Sequence, residues 1–289
     1  MRLIECVPNF SEGRNKAVVD AIASAIPAEL LLDRTSDPDH NRSVLTFAGS
    51  PGAVASAALE AVRTAVERID IASHRGVHPR VGAADVLPLV PIEDITLDEC
   101  AAIARELGQC IWEELQVPVI LYEAAAKRTE CVRLESVRRL VPQGLAPDIG
   151  KGRHPTAGVC VVGARKFLVA WNINLRTSDL AIARDIASTI RASNGGLPAL
   201  KALGLPLESR GQVQVSLNLV DFDITPLHVV FRKVEAMARA RKVEVAGSEL
   251  IGLIPQAALS ASEGYDLRWE NLRPDCILEN RIRRRPVDV

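Results

Sequence analysis

The order in which strand and helix patterns follow one another constrains the fold of this chain most. A strand pattern at residues 2–7 is followed by apolar residues at helical spacing from Ala17 to Ala25. Further strand patterns cover residues 29–35, 42–49, 85–91 and 117–122, and helix patterns cover 52–69 and 96–116. The β-α-β-β-α-β order with which the chain begins predicts an α/β (α+β, ferredoxin-like) fold of the split βαβ type.

A run rich in glycine and proline, from Gly144 to Gly158, separates this first pattern from a second one. The second pattern has strands at residues 158–164, 167–175, 211–220 and 243–246 and helices at 178–192, 197–203 and 225–241. A length of 289 residues also favours two domains, at roughly 150 residues each. We therefore expect two α/β subdomains with mixed sheets, residues 1–157 and 158–289, and a ligand cleft between them.

Composition argues against several classes of partner. The chain has 35 Lys and Arg against 36 Asp and Glu, and this balance gives no reason to expect binding to nucleic acid or to an anionic membrane. The basic cluster Arg281–Arg285 is typical of a solvated terminus. Six cysteines form no C-x-x-C pair, and we find no signal-peptide pattern and no membrane-spanning apolar run. We therefore expect a cytoplasmic protein with free thiols.

His78 lies in a segment that cannot be regular secondary structure. Gly76 and Pro79 bracket it, and the apolar run that starts at Val86 predicts a buried strand soon afterwards. An imidazole held in this way can transfer protons, but a surface-loop histidine without a function explains the pattern equally well. His74 and His78 have the spacing of a helical metal-ligand pair. Because Gly76 and Pro79 oppose a helix there, we predict no metal site.

A second candidate segment, Gly150–Gly158, combines three glycines with the cations Lys151 and Arg153. This composition suits close approach of the backbone to an anionic ligand. The segment lacks the G-K-[ST] ending of a phosphate-binding loop, and an interdomain linker is the alternative interpretation.

Two predicted strands carry polar residues at every second position. Asn172 and Asn174 alternate with apolar residues, and the run Arg210–Asn218 repeats the design. Such a face either lines a cleft or meets water, and the presence of two polar faces favours a cleft lining. The segment Asp37–Arg42, in contrast, contains the residue types that turns use.

Five longer strings carry the most specific signal. The strings are Glu5–Gly13, Gly76–Arg80, Gly163–Leu168, Asn172–Leu175 and Gly247–Leu253. Together they resemble the glutamate formimidoyltransferase family, and particularly the transferase domain of formimidoyltransferase-cyclodeaminases. They span nearly the whole chain in the family's order, which makes the match more specific than any short motif.

The resemblance implies transfer of a formimidoyl group from N-formimidoyl-L-glutamate to N5 of tetrahydrofolate, a late step of histidine degradation. It implies two α/β subdomains with folate bound between them, a homodimer, and tetrahydrofolate as a co-substrate without a metal. The family's catalytic histidine falls on His78, which we expect to act as general acid and base. The implied folate-binding residues are Gly150, Lys151, Gly152, Arg153, His154, Pro155, Thr156, Ala157 and Gly158.

The chain departs from the family at the end of this segment. It reads Pro155-Thr156-Ala157-Gly158 where the bifunctional members have Pro-Ser-Trp-Gly, and the segment is one residue shorter, so individual folate contacts do not transfer. The chain also ends soon after the transferase match. We therefore expect cyclisation of the product to occur on another protein.

Both substrates carry carboxylates, so the site requires cations, and arginine binds carboxylates in bidentate fashion. Arg42 and Arg80 are the candidate carboxylate contacts, with Lys151 and Arg153 as further candidates. Two alternatives stay open. The same site could move a formyl group between folate and glutamate, which a comparison of the two donors decides. The chain could also bind folate without turnover, in which case folate binding survives the loss of His78.

Overall fold

The computed structural model describes residues 2–38, 40–75 and 80–283, and it divides the chain into the units Met1–Lys166 and Phe167–Val289. His78 lies outside the described residues. The six cysteines are all free, as predicted. No helix within the described ranges is long and apolar enough to cross a membrane.

The first unit contains seven strands and four α-helices among its described residues. In chain order they are β1 Leu3–Cys6, β2 Asn9–Phe10, α1 Lys16–Ser24, β3 Leu31–Asp37, β4 Arg42–Gly49, α2 Pro51–Arg68, β5 Ala84–Glu93, α3 Leu97–Leu115, β6 Val119–Glu123, α4 Leu134–Leu140 and β7 Cys160–Ala164. In the sheet, strand β3 pairs with β4. Strands β1 and β2 each lie between β4 and β5 and pair with both, and β7 lies between β5 and β6. The strands β5, β7 and β6 are parallel and the remaining pairings are antiparallel, so this sheet is mixed, as predicted.

The second unit repeats the arrangement in smaller form. Its elements are β8 Val169–Leu175, α5 Leu180–Ile190, β9 Leu200–Leu207, β10 Gln212–Leu219, α6 Leu227–Ala240, β11 Val245–Ile251, α7 Gln256–Ser260 and α8 Leu278–Arg283. Its four strands are antiparallel in the order β11-β8-β10-β9. The order β5-β1-β4-β3 in the first unit is the same arrangement, so both units contain the ferredoxin-like β-α-β-β-α-β core.

The division of the chain falls after β7, whereas the sequence places it before the strand at 158–164. The strand Cys160–Ala164 pairs in parallel with β5 through Val86–Leu89 and with β6 through Val119–Glu123. Backbone hydrogen bonds on both sides therefore hold this strand in the first unit.

The prediction of a helix at 197–203 is wrong, because residues Leu200–Leu207 form β9. This strand pairs along its whole length with β10, and Leu200 and Ala202 alternate with less buried residues. Pro206 cannot donate a backbone hydrogen bond, which is tolerated here because β9 is at the edge of its sheet.

The cores explain why these elements form. Helix α3 begins with a capping box in which Thr96 and Glu99 satisfy each other's backbone N–H groups, and its inner residues pack in the core of the first unit. In the second unit Trp171 is fully buried, and its ring lies 6.1 Å from Phe231 and 5.3 Å from Trp269. Helices α5 and α6 thus cover one face of the second sheet, the face that Trp171 and Ile173 occupy.

Candidate active site

The end of the Gly150–Gly158 segment lies against residues 81–83, which join the Gly76–Arg80 motif to β5. Val159 donates its N–H to the carbonyl oxygen of Val81 at 3.1 Å, and Ala83 donates to that of Ala157 at 2.9 Å. These bonds bring together two segments that are more than seventy positions apart in the sequence. The sequence offers no signal for this contact.

Two glycines make this close approach feasible. A Cβ atom on Gly82 would lie 2.0 Å from the carbonyl oxygen of Val159, and one on Gly158 would lie 2.4 Å from that of Val81. Gly158 also has a φ of 71°, a conformation that glycine adopts at low cost. Glycine is therefore required on both sides of the contact.

A further bond ties the same loop to the other side of the undescribed residues 76–79. Ile71 donates its N–H to the carbonyl oxygen of Thr156 at 2.7 Å. The chain is therefore joined to the Gly150–Gly158 loop both before and after the segment that contains His78.

His154 organises the loop itself. Its backbone N–H donates to the carbonyl oxygen of Gly158 at 2.8 Å, and its carbonyl oxygen accepts the N–H of Gly158 at 3.0 Å. Its ring Nδ1 accepts the N–H of Ala157 at 3.0 Å. An acceptor role fixes Nδ1 as the unprotonated nitrogen, so this imidazole supports the turn. The exposed Lys151 and Arg153 flank it, and Arg153 donates to the carbonyl oxygen of Val141.

The other end of the loop rests on an aromatic ring. Gly150 has a φ of 80°, and a Cβ atom there would lie 2.4 Å from Cε3 of Trp112 on α3. Gly150 is therefore fixed both by its backbone conformation and by the ring beneath it.

Arg80 is held in a fixed orientation. Its guanidinium donates to the carbonyl oxygens of His40 at 2.8 Å and Asn41 at 3.1 Å, and Nη1 lies 2.7 Å from both ring nitrogens of His74. Burial and the charge of Arg80 lower the pKa of His74 below its usual 6.5. His74 is therefore neutral at pH 7 and accepts a hydrogen bond from the arginine.

Two further arginines lie near Arg80. Burial is the main cause that lowers the pKa of Arg42. The positive charge of Arg138 lowers this pKa further, and that of Arg80 makes a smaller contribution in the same direction. Arg138 on α4 forms a buried ion pair with Asp85, whose other carboxylate oxygen accepts the N–H of Val81 at 2.8 Å. We call Arg42, Arg80 and Arg138 the arginine cluster. Arginine stays positive despite such shifts, and the carboxylates of Asp85 and Asp37 oppose part of this charge at Arg42.

The turn before β4 supports the cluster. His40 donates its backbone N–H to Asp37 at 2.9 Å, which is the turn chemistry that the sequence predicts. Asn41 does more: it is buried, has a φ of 49°, and binds the N–H of Gly13 at 2.9 Å and the carbonyl oxygen of Arg75 at 3.0 Å. The side chain of Asn41 thus joins the Glu5–Gly13 string to the chain just before the Gly76–Arg80 motif.

The structure brings Arg42 and Arg80 together and adds Arg138, which sequence reasoning did not select. Arg138 lies in a basic helical stretch around residues 129–140. The sequence of this stretch does not indicate against which part of the chain the helix packs. Within the described ranges, no group of three or more His, Cys, Asp or Glu is arranged to hold a metal ion.

Comparison with known proteins agrees with both units. The family model "Formiminotransferase domain, N-terminal subdomain" matches residues 3–165, and "Formiminotransferase domain" matches residues 170–283. Solved structures give only weak likeness, for example a TM-score of 0.29 and 8% identity to a putative glycine cleavage system transcriptional repressor, over 86% of this chain and 97% of that one.

Named relatives match over nearly the whole chain. The glutamate formimidoyltransferase of Streptococcus pyogenes serotype M1 is 45% identical over 97% of this chain and 99% of its own length. That of Thermoplasma acidophilum is 39% identical over 98% of each chain. The formimidoyltransferase-cyclodeaminase of Sus scrofa is 42% identical over 94% of this chain and 53% of its own length. The chain therefore belongs to the formiminotransferase family of transferases.

Proposed function

We propose that this protein transfers the formimidoyl group of N-formimidoyl-L-glutamate to N5 of tetrahydrofolate, giving 5-formimidoyltetrahydrofolate and L-glutamate in histidine degradation. The full-length match to glutamate formimidoyltransferases supports the reaction. The observation that carries the site is the joining of the Gly150–Gly158 loop to both flanks of the 76–79 segment, beside the arginine cluster.

The arginine cluster suits the carboxylates of the glutamate moiety. Two backbone carbonyls fix the guanidinium of Arg80, so it is already oriented before a ligand binds. Asp85 pairs with Arg138, and the carboxylates of Asp37 and Glu12 also act on Arg42 and Arg80. Carboxylates are the ligand class that a group of guanidinium ions binds best.

The reaction needs one group that both accepts and returns a proton. N5 attacks the amidine carbon to form a tetrahedral intermediate, loses its proton, and the departing glutamate nitrogen then gains one. An unperturbed imidazole with a pKa of about 6.5 serves both steps. His78 takes this role in the proposal, on the strength of the Gly76–Arg80 motif. His74 does not, since it stays neutral as an acceptor for Arg80.

The loop contributes through its backbone. Gly150 and Gly158 allow folate to approach the main chain closely, and the exposed Lys151 and Arg153 lie where an anionic folate tail can reach them. The resemblance to the family also supports a homodimer in the cytoplasm. Sedimentation of the purified chain tests the dimer.

The deciding experiment is an assay with N-formimidoyl-L-glutamate and tetrahydrofolate that follows 5-formimidoyltetrahydrofolate. We expect turnover, and we expect His78→Ala to lower kcat by about 10² to 10⁴ because general acid-base catalysis is lost. His228→Ala, on α6 of the second unit, is the matched histidine control and should keep the parental kcat. Absence of product at high enzyme concentration contradicts the function, and an unchanged kcat in His78→Ala contradicts the role of His78. N-formyl-L-glutamate as the donor tests the formyl alternative.

A further inference from the structure

A buried carboxylate lies within the arginine cluster. Asp85 is 1% exposed, and its Oδ2 pairs with Nη2 of Arg138. Burial lowers the pKa values of Arg42 and Arg80, and the negative charge of Asp85 acts in the opposite direction on both. Asp85 is therefore close enough to all three guanidinium groups to serve as their common counterion.

The two oxygens of Asp85 join different parts of the chain. Its Oδ1 accepts the N–H of Val81 at 2.8 Å, directly after Arg80, while its Oδ2 binds Arg138 on α4. One carboxylate thus fixes the backbone next to one arginine and the side chain of another.

Asp85 itself stands on a rigid part of the sheet. It is the second residue of β5, and this strand is paired on both sides. The next residue, Val86, lies opposite Asn9 of β2 and opposite Val161 of β7. A side chain on a paired strand is held more precisely than one on a loop.

Stability alone does not explain the pair of Asp85 and Arg138. The Nε atom of Arg138 is buried and has no hydrogen-bond partner among the described residues. A buried ion pair adds little net stability, because desolvation offsets the attraction, and an unpartnered donor adds to that cost. The arginines nevertheless face solvent in part: Arg42 and Arg80 are partly exposed, and the side chain of Arg138 keeps 15% of its surface. Ligands can therefore reach the cluster.

We propose that Asp85 is a positioning residue of the transferase site, which holds the guanidinium groups of Arg80 and Arg138 at the spacing that the two carboxylates of N-formimidoyl-L-glutamate require. This inference rests on the proposed function. The like charges of the cluster repel one another, and a fixed counterion offsets this repulsion. A guanidinium that is fixed in advance also loses less freedom when a carboxylate binds. Asp85 acts through the arginines and does not contact the substrate.

The test removes the charge of Asp85 and keeps its shape. In Asp85→Asn the side-chain oxygen still accepts the N–H of Val81, whereas the charged bond to Arg138 is lost. We expect KM for N-formimidoyl-L-glutamate to rise about tenfold, with a smaller change in kcat, because displaced arginines bind the donor more weakly. KM for tetrahydrofolate should keep its parental value.

Asp148→Asn is the matched control in the same unit. The side chain of Asp148 is 5% exposed and pairs with Arg128 at 3.2 Å. It also accepts the backbone N–H of Leu121 at 2.8 Å, so it repeats the two bonds of Asp85 away from the cluster. We expect this variant to keep the parental KM for N-formimidoyl-L-glutamate.

The direction of the change in KM separates the possible roles of Asp85. Asp85→Asn makes the cluster more positive, so a role in charge alone gives tighter binding of the donor and a lower KM. A role in stability alone lowers Tm in both Asp85→Asn and Asp148→Asn and leaves KM for the donor unchanged in both. Either result overturns the inference.

A second variant keeps the test valid if Asp85→Asn does not fold. Asp85→Asn/Arg138→Gln removes both charges, so no uncompensated guanidinium is left in the buried pair. We expect this double variant to fold and to raise KM for the donor at least as much as Asp85→Asn. A parental KM in the double variant overturns the inference.

Calorimetry with N-formimidoyl-L-glutamate separates this inference from the proposed function, because it measures binding without turnover. If the parent binds the donor but makes no product, the proposed function fails, and an about tenfold higher Kd in Asp85→Asn still supports positioning of the arginines by Asp85. If the parent converts the donor and Asp85→Asn has the parental Kd and KM, the inference fails and the function holds. A parent that neither binds nor converts the donor contradicts both.

Discussion

The two units share a β-α-β-β-α-β core but differ in the chemistry of their polar groups. In the first unit, Arg80 and Arg138 are charged and already bonded to carbonyl oxygens, to His74 and to Asp85. In the second, Asn174 and Gln214 are neutral and have buried atoms without a partner among the described residues. The same fold therefore holds bonded, charged side chains in one unit and buried amide atoms without a described partner in the other, and the difference comes from the side chains.

This comparison predicts opposite responses to mutation. Removal of one member of a bonded pair leaves its partner unsatisfied, which destabilises the fold. Replacement of a buried polar group that has no partner by an apolar group of similar shape is nearly neutral for the fold. The first unit should thus lose stability where the second does not.

Asp85→Ala provides the largest expected effect. Asp85 is 1% exposed, and the change leaves the Arg138 charge and the Val81 N–H without their acceptor. We expect the free energy of unfolding to fall by about 3–5 kcal/mol, measured by urea denaturation. Asp185→Ala is the control, because Asp185 pairs with Arg241 at the surface of the second unit and should cost under about 1 kcal/mol. Equal losses in the two variants would contradict the distinction between the units.

The sequence predicts this scaffold better than it predicts the site. The helical spacing in 52–69 and the strand pattern in 42–49 are local signals, and both elements form nearly as expected. The bonds between Val81 and Val159, or between Arg138 and Asp85, join residues far apart in the chain. Local patterns carry no information about such contacts.

Edge strands are the other place where sequence reasoning fails. Leu200–Leu207 contains Gly204 and Pro206, has weak alternation, and is held as a strand by its pairing with β10. Tertiary pairing here outweighs the local preference of the segment. The polar alternation in β8 and β10 was visible in the sequence, but only the register shows that Asn174 and Gln214 are neighbours.

Arg80→Lys tests the orientation of the anion site at an intermediate magnitude. A lysine ammonium cannot reproduce the planar fork that reaches His40, Asn41 and His74 at once. We expect KM for N-formimidoyl-L-glutamate to rise by about tenfold, with a smaller change in kcat, in steady-state assays. Arg63→Lys on α2, where the arginine pairs with Glu114 at the surface, is the control. An unchanged KM in Arg80→Lys would remove Arg80 from the carboxylate site.

The smallest effect concerns pH and His74. Because burial and Arg80 lower the pKa of His74 in the folded protein below its usual 6.5, the unfolded chain binds the proton first as pH falls. The stability that neutral His74 contributes is therefore fully present above about pH 6.5 and is lost as pH falls through the lowered folded value. His74 is partly exposed and solvent screens its charge, so we expect a loss of under about 1 kcal/mol in the free energy of unfolding.

His74→Gln keeps a hydrogen-bond acceptor for Arg80 but does not titrate, and every other titratable group is the same in the two proteins. The difference in the free energy of unfolding between parent and variant, followed from pH 7.5 to 5 by urea denaturation, isolates His74. We expect this difference to shift against the parent as pH falls. A shift in the parent's favour would mean that protonated His74 is stabilised in the fold, which requires the carboxylate of Glu12 to outweigh Arg80. In that case the first unit would hold His74 as a cation, and Arg80 would lose the neutral acceptor that fixes its orientation.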